Sequence, residues 1–113
     1  GAYLFNEPVA CHLAARQQGL PVLTVIYNNQ QWEAVKQSTL AVHPAGHAQA
    51  SGRFPLTSLG PAPGYEEIVP AFDGHGERVE TPAEVGPALR RALAAVREGR
   101  QAVVNVLCGR ARD

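Results

Sequence analysis

The sequence has no methionine, one tryptophan and only two cysteines in 113 residues. Cys11 and Cys108 lie too far apart for the ligand spacings of structural zinc sites, so a zinc-organised fold is excluded. Two buried thiols in a reducing cytoplasm are expected rather than a disulfide. An excess of one charge is missing as well. Ten basic residues balance ten acidic ones, which removes the electrostatic footprint of a nucleic-acid or anionic-membrane binder. No apolar run approaches the ~20 residues of a membrane-spanning helix, and no signal peptide is visible. Repeats and low-complexity tracts are absent too. What remains, at 45% hydrophobic and 18% charged residues, is a soluble chain long enough for one domain, residues 1–113. It opens on GAYLFNEP, a structured-looking segment with no start methionine, and a fragment of a longer polypeptide is therefore expected.

The chain is organised around Leu20 to Asn29, LPVLTVIYNN. An apolar, β-branched run this short, opened by Pro and closed by polar residues, predicts a parallel strand buried on both faces. Ligands of open parallel sheets sit beyond the carboxyl ends of the strands, where Asn28 and Asn29 fall. Their neutral oxygens are hard donors of the kind Mg²⁺ uses when a phosphate supplies the negative charge. Asn is equally a common turn residue, and that reading stays open on these two residues alone.

Asn6 as N-cap, Pro8 in the first turn and Gly19 as the stop predict a helix over Glu7 to Gln18. Its apolar stripe is Val9, Ala10, Leu13 and Ala14, with His12 beside it as a half-buried packing histidine without an evident partner. Gln31 to Val42 lacks Gly and Pro and predicts a helix beginning near Trp32, its N-terminal amides aimed back at the asparagines. Residues 43–64 hold four Pro and four Gly and predict a long irregular loop. His43 and His47 have an HxxxH spacing that could bind a metal on a helix, but Pro44 and Gly46 between them argue against the helix that a zinc pair would need. Tyr65 to Phe72 reads as a short helix cut by Pro70, and Glu77 to Glu80 as an edge strand. Thr81-Pro82-Ala83-Glu84 is a capping box opening a helix that Gly99 closes, with Arg90, Arg91 and Arg97 on a solvated face. Ala102 to Leu107, within GRQAVVNVL, is a second buried strand. This alternation predicts a three-layer α/β/α domain with a mainly parallel sheet.

The segment GAYLFNEPVACHLAARQQGLPVLTVIYNN resembles the second half of the thiamine-diphosphate motif, which runs from GDG to NN. The likeness continues through NNQQWEAVK and again through YEEIVPAFDGHGERVETPAEVGPALRRAL to GRQAVVNV, covering nearly everything outside residues 43–64. The family is the C-terminal, cofactor-binding domain of enzymes such as acetolactate synthase and benzoylformate decarboxylase, with a flavodoxin-like fold. The resemblance implies thiamine diphosphate and Mg²⁺ as cofactors. Gly1 matches the last Gly of GDG, which would place the metal-binding Asp just before the chain. Asn29 matches the Asn ligand of Mg²⁺, and Gln31 the position that lends a backbone carbonyl to the same ion. Ala2, Trp32, Glu33 and Ala34 match positions close to the diphosphate. Ala2 replaces a frequent Ser, Glu33 stands where Gly is usual, and the substrate-pocket pattern of acetolactate synthase after NN is not reproduced.

By resemblance the parent enzyme decarboxylates or carboligates 2-oxo acids, with its activating Glu on another domain, so the fragment alone has no catalytic residue and no activity. Its expected partners are the remaining domains of the same enzyme and further copies of itself in a homodimer or larger homo-oligomer. Exposed apolar residues at Tyr3, Leu4 and Phe5 would favour association of the isolated chain. Two other classes remain open: a non-catalytic α/β module holding another phosphorylated ligand, and a structural or interaction domain with a decayed cofactor site.

Overall fold

A computed structural model describes residues 1–109. Its frame is a three-stranded sheet of β1 (Leu23–Asn28), β2 (His75–Val79) and β3 (Ala102–Leu107), in the order β1-β3-β2 and parallel throughout. Leu23 and His75 both lie level with Ala102, so the three strands start together and their carboxyl ends form one edge. The β-branched run AVVN at the start of β3 is buried on both faces, as a central parallel strand requires.

Alternation along β3 divides the core in two. On one face Ala102 and Val104 pack with Val79 against Ala88 and Ala92 of helix α5 (Pro82–Arg97). On the other, Val103 meets Ile26, Tyr65 and Val69, with Tyr3 packed alongside. This second face is covered by the one-turn helix α1 (Ala2–Phe5), by α2 (Pro8–Gln17) and by two 3₁₀ turns, Tyr65–Glu67 and Val69–Phe72. Helices on both faces of a parallel sheet make the expected three-layer α/β/α arrangement. Gly76 of β2 is where the turn and sheet come closest: a Cβ there would lie 1.8 Å from the Glu66 carbonyl oxygen.

Several local expectations are corrected. The strand within Leu20 to Asn29 is expected to be buried on both faces, its apolar part Val22 to Tyr27 inside the sheet, yet β1 is an edge of the described sheet and Tyr27 is 79% exposed. Its apolar character on both faces does not specify a neighbour on both sides, and α5 crosses β2 and β3 with only marginal reach to β1. Asn6 does not cap α2: its Nδ2 donates to the Ala2 carbonyl and closes α1, and Glu7 enters α2 with φ 52°. At α5 the box residues are in place, but the Thr81 hydroxyl donates to the Glu84 carboxylate at 2.8 Å instead of capping a backbone amide. The loop at residues 43–64 contains a further short helix, α4 (His47–Ser51), whose N-cap Gly46 separates His47 from His43 at the end of α3 (Glu33–Val42). The edge strand runs His75–Val79 rather than Glu77 to Glu80. Arg91 is not simply solvated, since its guanidinium binds the Glu77 carboxylate through both Nε and Nη2. Cys11 is exposed and Cys108 half-buried, so neither is the fully buried thiol expected. Among the described residues no helix is long and apolar enough to cross a membrane.

Candidate functional site

The carboxyl edge of β1 turns sharply. Asn28 ends the strand buried, and its Oδ1 accepts the Gln30 amide at 3.1 Å. Asn29 repeats the device one residue on, its Oδ1 accepting the Gln31 amide at 3.2 Å. These two Asx turns carry the chain through Gln30, whose φ of 58° is left-handed, into Trp32 at the cap of α3. The turn is anchored from outside by the Thr57 carbonyl, which accepts the Trp32 amide at 2.7 Å, and by the Leu59 amide, which donates to the Gln30 carbonyl at 2.8 Å. Neither bond uses the Gln31 carbonyl. No side chain caps α3; the Val35 and Lys36 amides donate to the Trp32 carbonyl, which leaves the Glu33 and Ala34 amides as the ones a ligand or water would meet.

Gly1, Ala2 and Tyr3 form the opposite wall. They and β1 residues including Asn28 enclose, with Asn29 and Tyr65, a cleft of about 240 Å³. The Trp32 ring lies so close over Gly1 that a Cβ on Gly1 would sit 2.1 Å from the indole. Phe5 stacks on the other part of this lid, its ring centroid 4.3 Å from that of Trp32 with 10° between the planes. Burial, then the neighbouring Tyr65 and Cys11, push the Tyr3 phenol up to about 12, and burial also raises Tyr65. Both phenols are therefore neutral groups at physiological pH.

The residues singled out by the sequence are thus only partly assembled. Gly1, Ala2 and Asn29 share the cleft, Trp32 covers Gly1, and Gln31 follows in the same turn. Glu33 and Ala34 stand beyond it on α3. The Glu33 carboxylate accepts hydrogen bonds from the side-chain amides of Gln31 and Gln37, the latter at 2.6 Å. Ala34 instead borders a separate groove with Val35, Ser38, Thr39, Val42 and His43. No group of three or more His, Cys, Asp or Glu is placed to hold a metal among the described residues. The oxygens at this edge are neutral: Asn29 Oδ1 and the Gln31 carbonyl. Such donors fit a hard dication that takes its counter-charge from phosphate, and they do not fit a soft or borderline metal.

Sequence reading missed Asn105. It is fully buried in the central strand, where its Nδ2 donates to Glu66 Oε2 at 2.6 Å and to the Pro63 carbonyl at 3.2 Å. Its Oδ1 accepts from Asn28 Nδ2 at 3.1 Å. The signal was present as one amide inside AVVNVL, a polar residue that burial obliges to find partners.

A parallel α/β sheet with a helix N-terminus and neutral oxygens at its carboxyl edge suits a phosphate-bearing ligand. Residues 1–106 match the family described as thiamine pyrophosphate enzyme, C-terminal TPP binding domain, and the chain belongs to that family. It is similar to a probable acetolactate synthase of Mycobacterium bovis and to the acetolactate synthase large subunit of Mycobacterium tuberculosis. Each is 40% identical over 91 residues, which are 80% of this chain and 15% of the relative. A sulfoacetaldehyde acetyltransferase of Alcaligenes xylosoxydans xylosoxydans is 27% identical over 99 residues, 87% of this chain and 15% of that protein. The chain therefore spans about 15% of the length of these curated relatives. No solved structure matches it.

Proposed function

We propose that this chain supplies the diphosphate and Mg²⁺ end of a thiamine-diphosphate site, within a longer cytoplasmic enzyme of acetolactate synthase type that decarboxylates or carboligates 2-oxo acids. The observation carrying this reading is that Asn28 and Asn29, at the strand-end turn that leads into α3, share one cleft with the Gly1–Ala2 wall, in a chain of this family. Asn29 Oδ1 and the Gln31 carbonyl are the metal donors, and the acidic ligand comes from residues outside this chain. Gly1 and Ala2 leave the wall free of bulky side chains, and α3 begins directly after the turn, so the positive end of its dipole lies on the side of the phosphate charge. Gln31 and Gln37 hold the Glu33 carboxylate along α3, outside the residues that line the cleft. Trp32, stacked on Phe5, closes over Gly1 at the rim of the cleft. The cofactor, when bound, contributes the carbanion-stabilising chemistry. This chain binds and orients it.

The catalytic Glu, the 2-oxo acid pocket and the partner subunit of a homo-oligomer all lie outside these residues. Replacing Asn29 by Leu in the full-length protein tests the reading. Mg²⁺-dependent thiamine-diphosphate affinity is expected to fall by at least about tenfold, the scale seen when groups organising a metal site are lost. Calorimetric titration that finds cofactor binding as tight as in the wild type rejects the assignment of Asn29.

A further inference from the structure

We propose that Asn105 is a positioning residue that sets the metal-binding turn from the centre of the sheet; the assignment rests on the function proposed above. Its side chain lies between two structures that must be aligned. On one side Nδ2 spends both hydrogens on the segment closing the 43–64 stretch, one on the Glu66 carboxylate and one on the Pro63 carbonyl. On the other, Oδ1 receives the Nδ2 of Asn28. That bond fixes which way the Asn28 amide faces. With its nitrogen committed to Asn105, the Oδ1 of Asn28 faces the Gln30 amide and accepts it. Gln30 takes a left-handed φ of 58°, a conformation that a residue with a Cβ holds only when its surroundings impose it. The residues on either side of Gln30 are Asn29 and Gln31, the proposed donors.

The chain Glu66–Asn105–Asn28–Gln30 thus runs from a surface turn through the core to the ligand turn. Asn105 is 0% and Asn28 5% exposed, so neither can exchange its partner for water. Only an amide gives donors towards Glu66 and an acceptor towards Asn28 at one position. A carboxylate at 105 would set two acceptors against each other on the Glu66 side, where like charges at hydrogen-bond spacing disfavour joint ionisation. A glutamine at 66 would restore a donor to that contact. The arrangement therefore specifies a rescue that general destabilisation does not.

The test compares full-length wild type, Asn105→Asp, Asn105→Asp with Glu66→Gln, and Val104→Ala as a core-weakening control on the other face of β3. Two readouts are taken: amide exchange at Gln30 to Trp32 in cofactor-free protein, and the Mg²⁺ concentration giving half-maximal thiamine-diphosphate binding. Asn105→Asp is expected to speed exchange and raise the half-saturating Mg²⁺ by about tenfold each. The double variant, which restores the Glu66 contact and leaves the Pro63 carbonyl without its donor, is expected to recover part of both, and Val104→Ala to lower the melting temperature with neither effect. Wild-type exchange in Asn105→Asp, a double variant no better than the single, or the same changes in Val104→Ala would each overturn the proposal. If Asn105→Asp does not fold, Asn105→Ser, which reaches neither partner and adds no charge, carries the same expectation and refutation. Wild type that binds thiamine diphosphate without need of Mg²⁺ sinks the functional reading instead, and the exchange readout then still decides whether Asn105 positions the turn.

Discussion

A buried polar side chain is stable only where its partners are, and His12 illustrates how far these can lie along the chain. Its Nε2 is 2.9 Å from the Tyr3 hydroxyl and its Nδ1 is 2.7 Å from Gln101 Oε1, while Gln101 Nε2 returns a bond to the His12 carbonyl at 2.8 Å. The imidazole therefore locks α1 and α2 to the start of β3. Tyr3→Phe keeps the ring and removes the bond to Nε2, so the expected loss is about 1 kcal/mol. Chemical denaturation should show a lower midpoint at unchanged slope; equal midpoints would mean that water replaces the phenol. A second residue-scale outcome concerns Glu77. The hydrogen bond from Arg91, opposed in part by burial and aided by His75, holds its carboxyl below the ordinary range. A carboxyl lowered on folding adds stability above its unfolded value of about 4.3, and that contribution fades as pH falls through the folded value. Wild type should thus lose more stability than Arg91→Ala between pH 5 and 3, by roughly those limits. Parallel melting curves over that interval would show the pair to be idle, as many exposed ion pairs are.

At the scale of elements, close approach of backbone decides more than propensity does. Gly76→Ala would drive a methyl to 1.8 Å from the Glu66 carbonyl oxygen, and neither β2 nor the 3₁₀ turn can yield without breaking its own ladder. Overpacking of this kind costs typically ~1–3 kcal/mol. It would also shift Glu66 away from Asn105, so Gly76→Ala should both lower the melting temperature and loosen the Gln30 amide. A normal melting temperature would show that the turn lifts freely. The elements legible in the sequence were those whose signal is local. The strand Ala102–Leu107 was legible because a β-branched run between Gly99 and Gly109 admits nothing else, and α5 because Thr81-Pro82 starts it and Gly99 stops it. The strand-end asparagines were legible as a candidate site for the same reason. The rest needed tertiary facts. Asn6 could accept an amide at the start of α2 or donate to a carbonyl of α1, and sequence cannot say that α1 exists to claim it. An apolar run such as Val22 to Tyr27 states that it is a strand, not how many neighbours it has. The link from Asn105 to Asn28 spans 77 residues, and no local pattern encodes it.

For the whole molecule, shape sets the expectation. A compact chain of this length has a radius of gyration of about 13 Å, whereas this one has 16.6 Å and extents of 52 × 31 × 20 Å. Its surface of 7234 Å² exceeds the roughly 6,000 Å² usual for a monomer of its mass. The excess has an evident source: α3 and α4 make no extensive packing with the sheet or with α1, α2 or α5. Exposed apolar residues accompany this shape. Tyr3 folds inward onto the core, but Leu4, Phe5, Val9 and Leu13 stay open along α1 and α2, and Val42 and Leu56 along the arm are 70% and 89% exposed. Scattered apolar surface is normal, but a contiguous stripe on two adjoining helices calls for a partner. Burial of such surface returns roughly 25 cal/mol per Å², so the isolated chain is expected to associate at micromolar concentration through α1 and α2. Leu13→Lys, on the open side of α2 and outside the cleft, should then restore a monomer without lowering helix content. Light scattering that finds the unsubstituted chain monomeric at these concentrations would show the stripe to be inert, and the extra surface would then reside in the α3–α4 arm alone.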